Sequence, residues 1–395
     1  MRGHVIKKDG NWYVVLELER EDGRRRQKWI SVRKELNLPK PANKKQAEEL
    51  LTHKLKELHD GTFIEPAKMT LSAWLGRWVS TYCRVNLRRT TCESYESFID
   101  HHILPALGHM ELTKLRPLHI QELLSHKLKS GRADGKEGGL SPRSVKYIHT
   151  ILHEALKHAV KLEIVPRNVA EAVTPPRETK AELQAWDVNQ VNAFLEAASK
   201  HRLYPLFLLA LTTGMRRGEL LGLRWQDIDW KRKTISVCQT LVVTKEGIQF
   251  QEPKTDAGKR VIAVDNDVLE VLKFWRIRQT SELKARQTVY GTAEKNSLLV
   301  FCSIAGTPLS PRNLARAFAA LIKRAKVPEI SLHGLRHTSA TLMLKENIPA
   351  KVVSERLGHS KVGITLDTYS HVLPDMQREA ADKISQVIKA KLPRE

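Results

Sequence analysis

Apolar and strand-forming residues gather in short segments at the start of the chain and follow helical spacing through its middle. They shorten into strands once more before helices resume. Val5-Ile6-Lys7, Gly10 to Leu18 and Gln27 to Val32 read as strands, the last two separated by the turn Glu21-Asp22-Gly23 and the basic run Arg24-Arg25-Arg26. An amphipathic helix is predicted from about Lys44 through Ala47, Leu50, Leu51, Leu55 and Leu58. Leu71 to Val79 and Thr91 to Leu104 continue at helical spacing, and the Gly-rich run Gly131 to Gly139 reads as a loop. Ser141-Pro142, an N-cap followed by Pro at the first helical position, then opens a helix through Ile148, Ile151, Leu152, Ala155 and Leu156 to about Lys161.

Thr174-Pro175-Pro176-Arg177-Glu178-Thr179-Lys180 reads as an extended linker, because paired prolines and mixed charge disfavour a packed element. Beyond it, helices run to Leu223, with Tyr204 to Leu211 apolar enough to be buried. A strand group follows through Thr234-Ile235-Ser236-Val237, the turn Lys245-Glu246-Gly247 and Arg260 to Val264. Helices then resume, one starting at Ser310-Pro311 and carrying Leu314, Phe318 and Leu321 on one face. Ala381, Ile384, Val387 and Ile388 give a tail helix that would dock either on a neighbouring subunit or on its own domain. The expected fold is multidomain and mainly α with small β-sheets. Residues 1–62 form three strands and a helix, 69–173 a helical domain, and 181–395 an α+β domain.

Charge narrows the partners. The 395 residues hold 66 Lys and Arg against 44 Asp and Glu, a net charge of +22, while 41% hydrophobic residues suffice for several cores. Such a balance favours a polyanion, because neutralising phosphates releases counterions and gives affinity without regard to sequence. No stretch approaches the ~18 consecutive apolar residues of a membrane span, and Met1 to Asp9 carries no apolar signal region. A cytoplasmic, nucleoid-associated protein with no membrane contact is expected. Cys83, Cys92, Cys238 and Cys302 form no close pair, so they are expected reduced. His101-His102 lacks a third ligand at a plausible spacing, so no metal is expected.

The candidate chemistry lies in the last quarter. In Ser331-Leu332-His333-Gly334-Leu335-Arg336-His337, His333 and Arg336 stand three positions apart, on one side of a helix, where one small anion would touch both. Arg offers a planar fork that matches phosphate oxygens, and His titrates near neutrality. Pro349 opens a helix that Gly358 closes, which places His359 in the turn beyond. Tyr369, ten residues on, is a candidate nucleophile. Read singly, a His and an Arg at this spacing are common on helices, and a tyrosine near a C-terminus is more often a packed residue.

The set His333-Gly334-Leu335-Arg336-His337, Leu357-Gly358-His359-Ser360 and Thr368-Tyr369 resembles the second signature box of the tyrosine recombinases, the phage-integrase family. Thr213-Gly214-Met215-Arg216-Arg217-Gly218-Glu219-Leu220 resembles its first box, and Pro253-Lys254-Thr255 with Asp256 to Arg260 resembles the hairpin that carries its catalytic lysine. Order and spacing agree. Gly334, where many relatives carry an acid, and Met215, in place of a commoner Leu, depart from the pattern without removing a catalytic group.

What the resemblance implies is an integrase like those of prophages and integrative conjugative elements. Such an enzyme is a site-specific recombinase that cuts and rejoins DNA through a 3′-phosphotyrosyl intermediate and a Holliday junction. Tyr369 would attack, Arg216 and Arg336 would bracket the phosphate oxygens, and Lys254 would protonate the leaving oxygen. His333 would be the base, His359 would bind a phosphate oxygen, and Glu219 would orient its neighbours. No cofactor, ATP or divalent ion is implied, because the protein ester conserves the bond energy. The first domain would bind arm-type DNA sites and the second the core site. The partners would be double-stranded DNA and three further copies in a homotetramer on paired sites, with an excisionase and a DNA-bending host factor as candidates. A topoisomerase IB or telomere resolvase would use the same chemistry, and a non-enzymatic architectural DNA-binding protein would share only the charge.

Overall fold

The computed structural model describes residues 2–21, 24–36, 38–59, 69–132, 135–178, 184–253, 256–290, 299–369, 381–385 and 388. The chain separates into two compact units, Met1–Thr179 and Lys180–Glu395.

The first unit opens with an antiparallel sheet of β1 (Gly3–Lys8), β2 (Asn11–Glu21) and β3 (Arg24–Ser31), with β2 in the centre. Asp9 and Gly10 between β1 and β2 have φ of 49° and 76°. Two consecutive positive φ values make the tight turn whose twist matches that of paired strands. Val14 and Leu16 lie two apart on β2 and so share a face, which Ala47, Leu50, Leu51, Leu55 and Leu58 of the helix Lys44–His59 cover. The basic run belongs to a strand rather than to the connection expected between strands: Arg24 pairs with Glu21 and Arg26 with Leu18. Backbone pairing, not side-chain charge, decides where a strand begins.

The rest of this unit is helical, with Leu71–Trp78, Arg89–Phe98, Pro117–Lys129 and Pro142–Lys161 as its main elements and π turns at Val79–Cys83 and Ile99–Ile103. Thr70 and Ser141 start two of them by accepting from the backbone N–H of Ala73 and Ser144, each at 3.2 Å. Trp74 and Trp78 fill the core with Ile103, Ile120, Ile148 and Ile151. Their indole N–H groups donate to the Ala155 carbonyl at 3.0 Å and to His158 Nδ1 at 2.8 Å, so two large rings are buried without stranding a donor. Residues 173–178 carry no helix or strand.

In the second unit, Asp187 and Gln190 cap the helix Val188–Ala198 reciprocally, at 2.8 and 3.1 Å. The helix Tyr204–Thr213 is apolar around most of its circumference and accordingly lies inside the core. Trp186, Phe194, Phe207 and Phe318 meet beside it in tilted and edge-to-face pairs. Trp186 also ties the start of the unit to its end: its indole donates to the Pro328 carbonyl at 2.8 Å and its backbone N–H to Thr338 Oγ1 at 3.0 Å. Thr338 sits on the helix Leu332–Lys345, which carries much of the candidate site.

The strands here are β4 (Ile228–Asp229), β5 (Thr234–Val237), β6 (Thr240–Thr244), β7 (Gly247–Gln251) and β8 (Arg260–Ala263). They form two antiparallel sheets, β4-β5-β8 and β6-β7. Among the described residues, the strands on either side of Pro253 to Arg260 pair elsewhere: Gly247, with φ of 112°, closes β7 back onto β6, and β8 pairs with β5. Lys254, expected on a hairpin, lies outside the described residues, as do Val387 and much of the tail. Among the described residues no helix is long and apolar enough to cross a membrane.

Candidate active site

Two helix ends and one helix face build the site. The buried helix Tyr204–Thr213 stops at Gly214, whose φ is 64°, and the chain turns into the helix Arg217–Gly222 with Arg216 at its N-cap. Only glycine suits position 214, because a Cβ would also come within 2.5 Å of the Leu357 side chain. Glu219, three residues on, accepts from the Arg216 backbone N–H and from Arg216 Nη1, both at 2.9 Å. The same carboxylate accepts from Arg260 Nη2 at 2.9 Å and Nη1 at 3.2 Å. Burial alone would raise the Glu219 carboxyl, but Arg260 first and then Arg216 outweigh it and hold it below the usual range. Glu219 is thus a buried anion that orients two guanidinium groups.

Ser331 caps the helix Leu332–Lys345 by accepting from the Gly334 N–H. At Gly334 a Cβ would stand 2.9 Å from the Ile330 side chain, so glycine there lets Ile330 pack against the first turn. His333, Arg336 and His337 leave this helix at spacings of three and four. Arg336 is 2% exposed. Its Nη1 donates to the carbonyls of Gly214 and Leu357, each at 2.8 Å, which fixes the plane of the guanidinium between the two helix ends. Its Nη2 is buried with no partner among the described residues. A buried unpaired guanidinium N–H is costly, so its position marks a place for an anion.

Gly358, with φ of 71°, ends the helix Ala350–Leu357, and its carbonyl accepts from Arg216 Nη2 at 3.2 Å. His359 follows in the turn, its Nδ1 held 2.8 Å from Thr365 Oγ1. Arg260 Nε donates to the Arg356 carbonyl at 2.7 Å, which ties β8 to the same helix end. Tyr369 ends the helix Val362–Tyr369 and is 1% exposed. Its hydroxyl lies 2.8 Å from His337 Nδ1.

Five of the six candidate side chains, Arg216, His333, Arg336, His359 and Tyr369, are therefore drawn into one network in the second unit. Lys254, the sixth, is not described. Two members were not singled out from the sequence. Arg260 had been read only as part of a motif, and its partner Glu219 is 41 positions away, a separation no local pattern reveals. His337 had been quoted only within a motif, although its spacing of four from His333 on a helix was a usable signal. The two imidazoles pack edge-on with ring centroids 4.7 Å apart.

The imidazoles stay neutral at pH 7. Burial, then His337 and Arg336, push His333 down to about 4; burial, then Arg336 and Arg216, push His359 down to about 4. His337 is lowered by burial and Arg336. Arg336 is pushed down to about 9 by burial and by Arg216, which still leaves it cationic at neutral pH. Burial raises the Tyr369 phenol to about 12, against the opposing pull of Arg336. A native imidazole below its unfolded value binds protons less readily than the unfolded chain, so stability falls as pH drops from 6.5 towards about 4. In an imidazole NMR titration of the free protein, His333 and His359 are expected to titrate near about 4, and an added phosphodiester should move both upward. Midpoints at the ordinary 6.5 would mean that the site is open to water.

Among the described residues no group of three or more His, Cys, Asp or Glu side chains gathers as a metal site. The arrangement instead gathers guanidinium charge, neutral imidazoles and one phenol, with the buried Nη2 of Arg336 unpartnered among the described residues. That is a site for transfer at a phosphoryl or similar anionic centre, with a protein oxygen as nucleophile.

Comparison with known proteins agrees. Residues 182–376 match the phage integrase family, and residues 70–128 match the phage integrase N-terminal SAM-like domain. Together they take in more than half of the chain. A tyrosine recombinase XerC-like protein of Caldanaerobacter subterraneus subsp. tengcongensis is 28% identical over 361 residues, covering 87% of this chain and 90% of the relative. In fold, the chain is similar to the Tn1549 transposon integrase in complex with a circular intermediate DNA, with a TM-score of 0.63 at 20% identity over 80% of this chain and 99% of that one. It is also similar to the lambda integrase tetramer bound to a Holliday junction, with a TM-score of 0.54 at 19% identity over 92% of this chain and 95% of that one. The chain belongs to the phage integrase family and is a tyrosine recombinase.

Proposed function

We propose that this chain is a site-specific integrase that inserts and excises a mobile element by cutting and rejoining double-stranded DNA. The observation that carries the reading is the unpartnered Nη2 of buried Arg336, in one network with Arg216 and with the imidazole that holds Tyr369. Arg216 and Arg336 bind the non-bridging oxygens of the scissile phosphate, and His359 donates to one of them. Tyr369 attacks phosphorus to give a 3′-phosphotyrosyl link, Lys254 protonates the departing 5′ oxygen, and Glu219 keeps Arg216 in place. A second 5′-hydroxyl then attacks the ester, and two such rounds pass through a Holliday junction. The side chains supply the positive charge, and the ester conserves the bond energy, so neither ATP nor a divalent ion is needed.

Residues 1–62 act as an arm-type DNA-binding domain, 69–173 as the core-binding domain, and 181–395 as the catalytic domain with a tail helix. The net charge of +22 supports contact along an extended phosphate backbone. Four active sites are needed for a full exchange, so a homotetramer assembles on paired core sites; the lambda integrase tetramer on a Holliday junction supports this. The protein works at the nucleoid in the cytoplasm, with an excisionase and a DNA-bending host factor as candidate partners.

The test is incubation with a nicked suicide substrate carrying the attachment site, in EDTA and without ATP. A covalent protein–DNA band on a denaturing gel is expected; binding without that band would favour an architectural DNA-binding protein. Changing Arg24, Arg25 and Arg26 together to Ala removes three cationic side chains from the amino-terminal sheet. Arm-site affinity is expected to fall by about tenfold or more, with a shallower salt dependence and little change at the core site. A filter-binding salt series at both sites measures this, and equal affinities there would remove the arm-binding role.

A further inference from the structure

We propose that His337, rather than His333, is the catalytic residue that takes the phenolic proton of Tyr369 as the tyrosine attacks phosphorus. The inference rests on the reading of Tyr369 as nucleophile. His337 Nδ1 stands 2.8 Å from the Tyr369 hydroxyl, within the range required of a general base. This is the one hydrogen bond that the hydroxyl makes among the described residues. His333 packs edge-on against the His337 ring with centroids 4.7 Å apart, and among the described residues no hydrogen bond joins it to the Tyr369 hydroxyl.

Charge supports the same role. The groups facing His337 are His333 and Arg336 on its own helix, His359 from the turn between the helices Ala350–Leu357 and Val362–Tyr369, and Tyr369 itself. Arg336 and burial keep the imidazole neutral, so a ring nitrogen has a lone pair to offer. The phenol is a weak acid here and the free imidazole a weak base, so full proton transfer before attack would be uphill. The proton therefore moves while the new bond forms. The Tyr369 O–H bond breaks and its proton goes to Nδ1 of His337. The Oη–P bond forms and the P–O5′ bond breaks, and the leaving oxygen takes its proton from Lys254. A bound phosphodiester, being anionic, raises the affinity of His337 for that proton. On rejoining, His337 returns it to the departing phenolate.

The experiment is single-turnover cleavage of the nicked suicide substrate by the full chain, comparing His337→Ala and His337→Asn with the unaltered protein across pH. Asparagine places an acceptor oxygen near the Nδ1 position but does not take a proton. Both variants are expected to cleave on the order of 10²–10³-fold more slowly, with rates that rise about tenfold per pH unit above neutrality as hydroxide takes over, where the unaltered protein is flat. Rejoining of the adduct should slow by less than about tenfold, because a phenolate leaves without much help. Recovery of rate and flat profile in His337→Asn would assign a positioning role and overturn the proposal, as would cleavage by that variant within about threefold of normal. If His337→Ala does not fold, His337→Asn alone decides. Tyr369→Phe run alongside separates the premises: an adduct from that variant would remove the nucleophile, and with it the ground for this inference.

Discussion

Tyr369→Phe is expected to bind its DNA site with unchanged affinity and to form no covalent adduct at all. The phenol oxygen is the atom that becomes the ester, so its removal deletes the reaction rather than slowing it. The fold should tolerate the change, because the ring is retained in the cluster of Ala340, Leu344, Val353 and Leu357 that encloses it. The lost contact is a single hydrogen bond to His337, worth about 1 kcal/mol. A gel-shift titration and a denaturing gel of the same reactions measure the two quantities separately. An adduct at normal yield would mean that another side chain is the nucleophile, and the arrangement around Arg336 would need a different reading.

Arg336→Lys is expected to lower cleavage on the order of 10²–10³-fold while keeping the charge. Lysine carries a point charge where the site uses a planar fork. Arg336 Nη1 bridges the carbonyls of Gly214 and Leu357, and this bridge fixes the guanidinium whose Nη2 is left without a partner among the described residues. An ammonium group can satisfy one carbonyl or face the phosphate, but it cannot hold the same geometry for both. Because the position is buried and joins two helix ends, stability should also fall, by about 2–3 kcal/mol for a lost hydrogen bond to a charged group. Urea melts report the stability, and single-turnover rates at saturating protein report the chemistry. A variant that cleaves at the normal rate would show that charge alone suffices and that the bridge to Gly214 and Leu357 has no part in catalysis.

The two effects differ in kind. Tyr369 contributes the bond that is made, and Arg336 the field in which it is made. A double variant should therefore behave as Tyr369→Phe does, since there is no chemistry left for the arginine to accelerate.

Much of this molecule was legible before any coordinates. The run of strand-forming residues in Asn11 to Leu18 reports a strand, and helical spacing in Pro142 to Lys161 reports directly which side chains face a core, because burial selects apolar residues at the period of the helix. Gly214 and Gly358 carry local information of the same sort: each ends a helix at positive φ. The motifs around Arg216 and His359 could be read because each sits beside such a helix end, and that around Arg336 because its spacing from His333 puts both on one face of a helix. The basic run Arg24 to Arg26 was left between two strands because charge is a weak guide to pairing, and only the register with Leu18 and Glu21 puts it in β3. Sequence also gives the strands on either side of the lysine motif but not their partners, which among the described residues are β6 for β7 and β5 for β8.

By itself, then, the sequence determined the elements, the helix ends and the inventory of reactive groups, all of which depend on neighbours within a turn or two of the chain. Tertiary structure alone decided which of those groups meet. Glu219 holds Arg260 across 41 positions, Arg336 reaches Gly214 across 122, and Tyr369 rests on His337 rather than His333. Contacts of that separation are set by how packed helices and strands come together in three dimensions, and the choice between two imidazoles one helical turn apart depends on where a separate helix delivers the phenol.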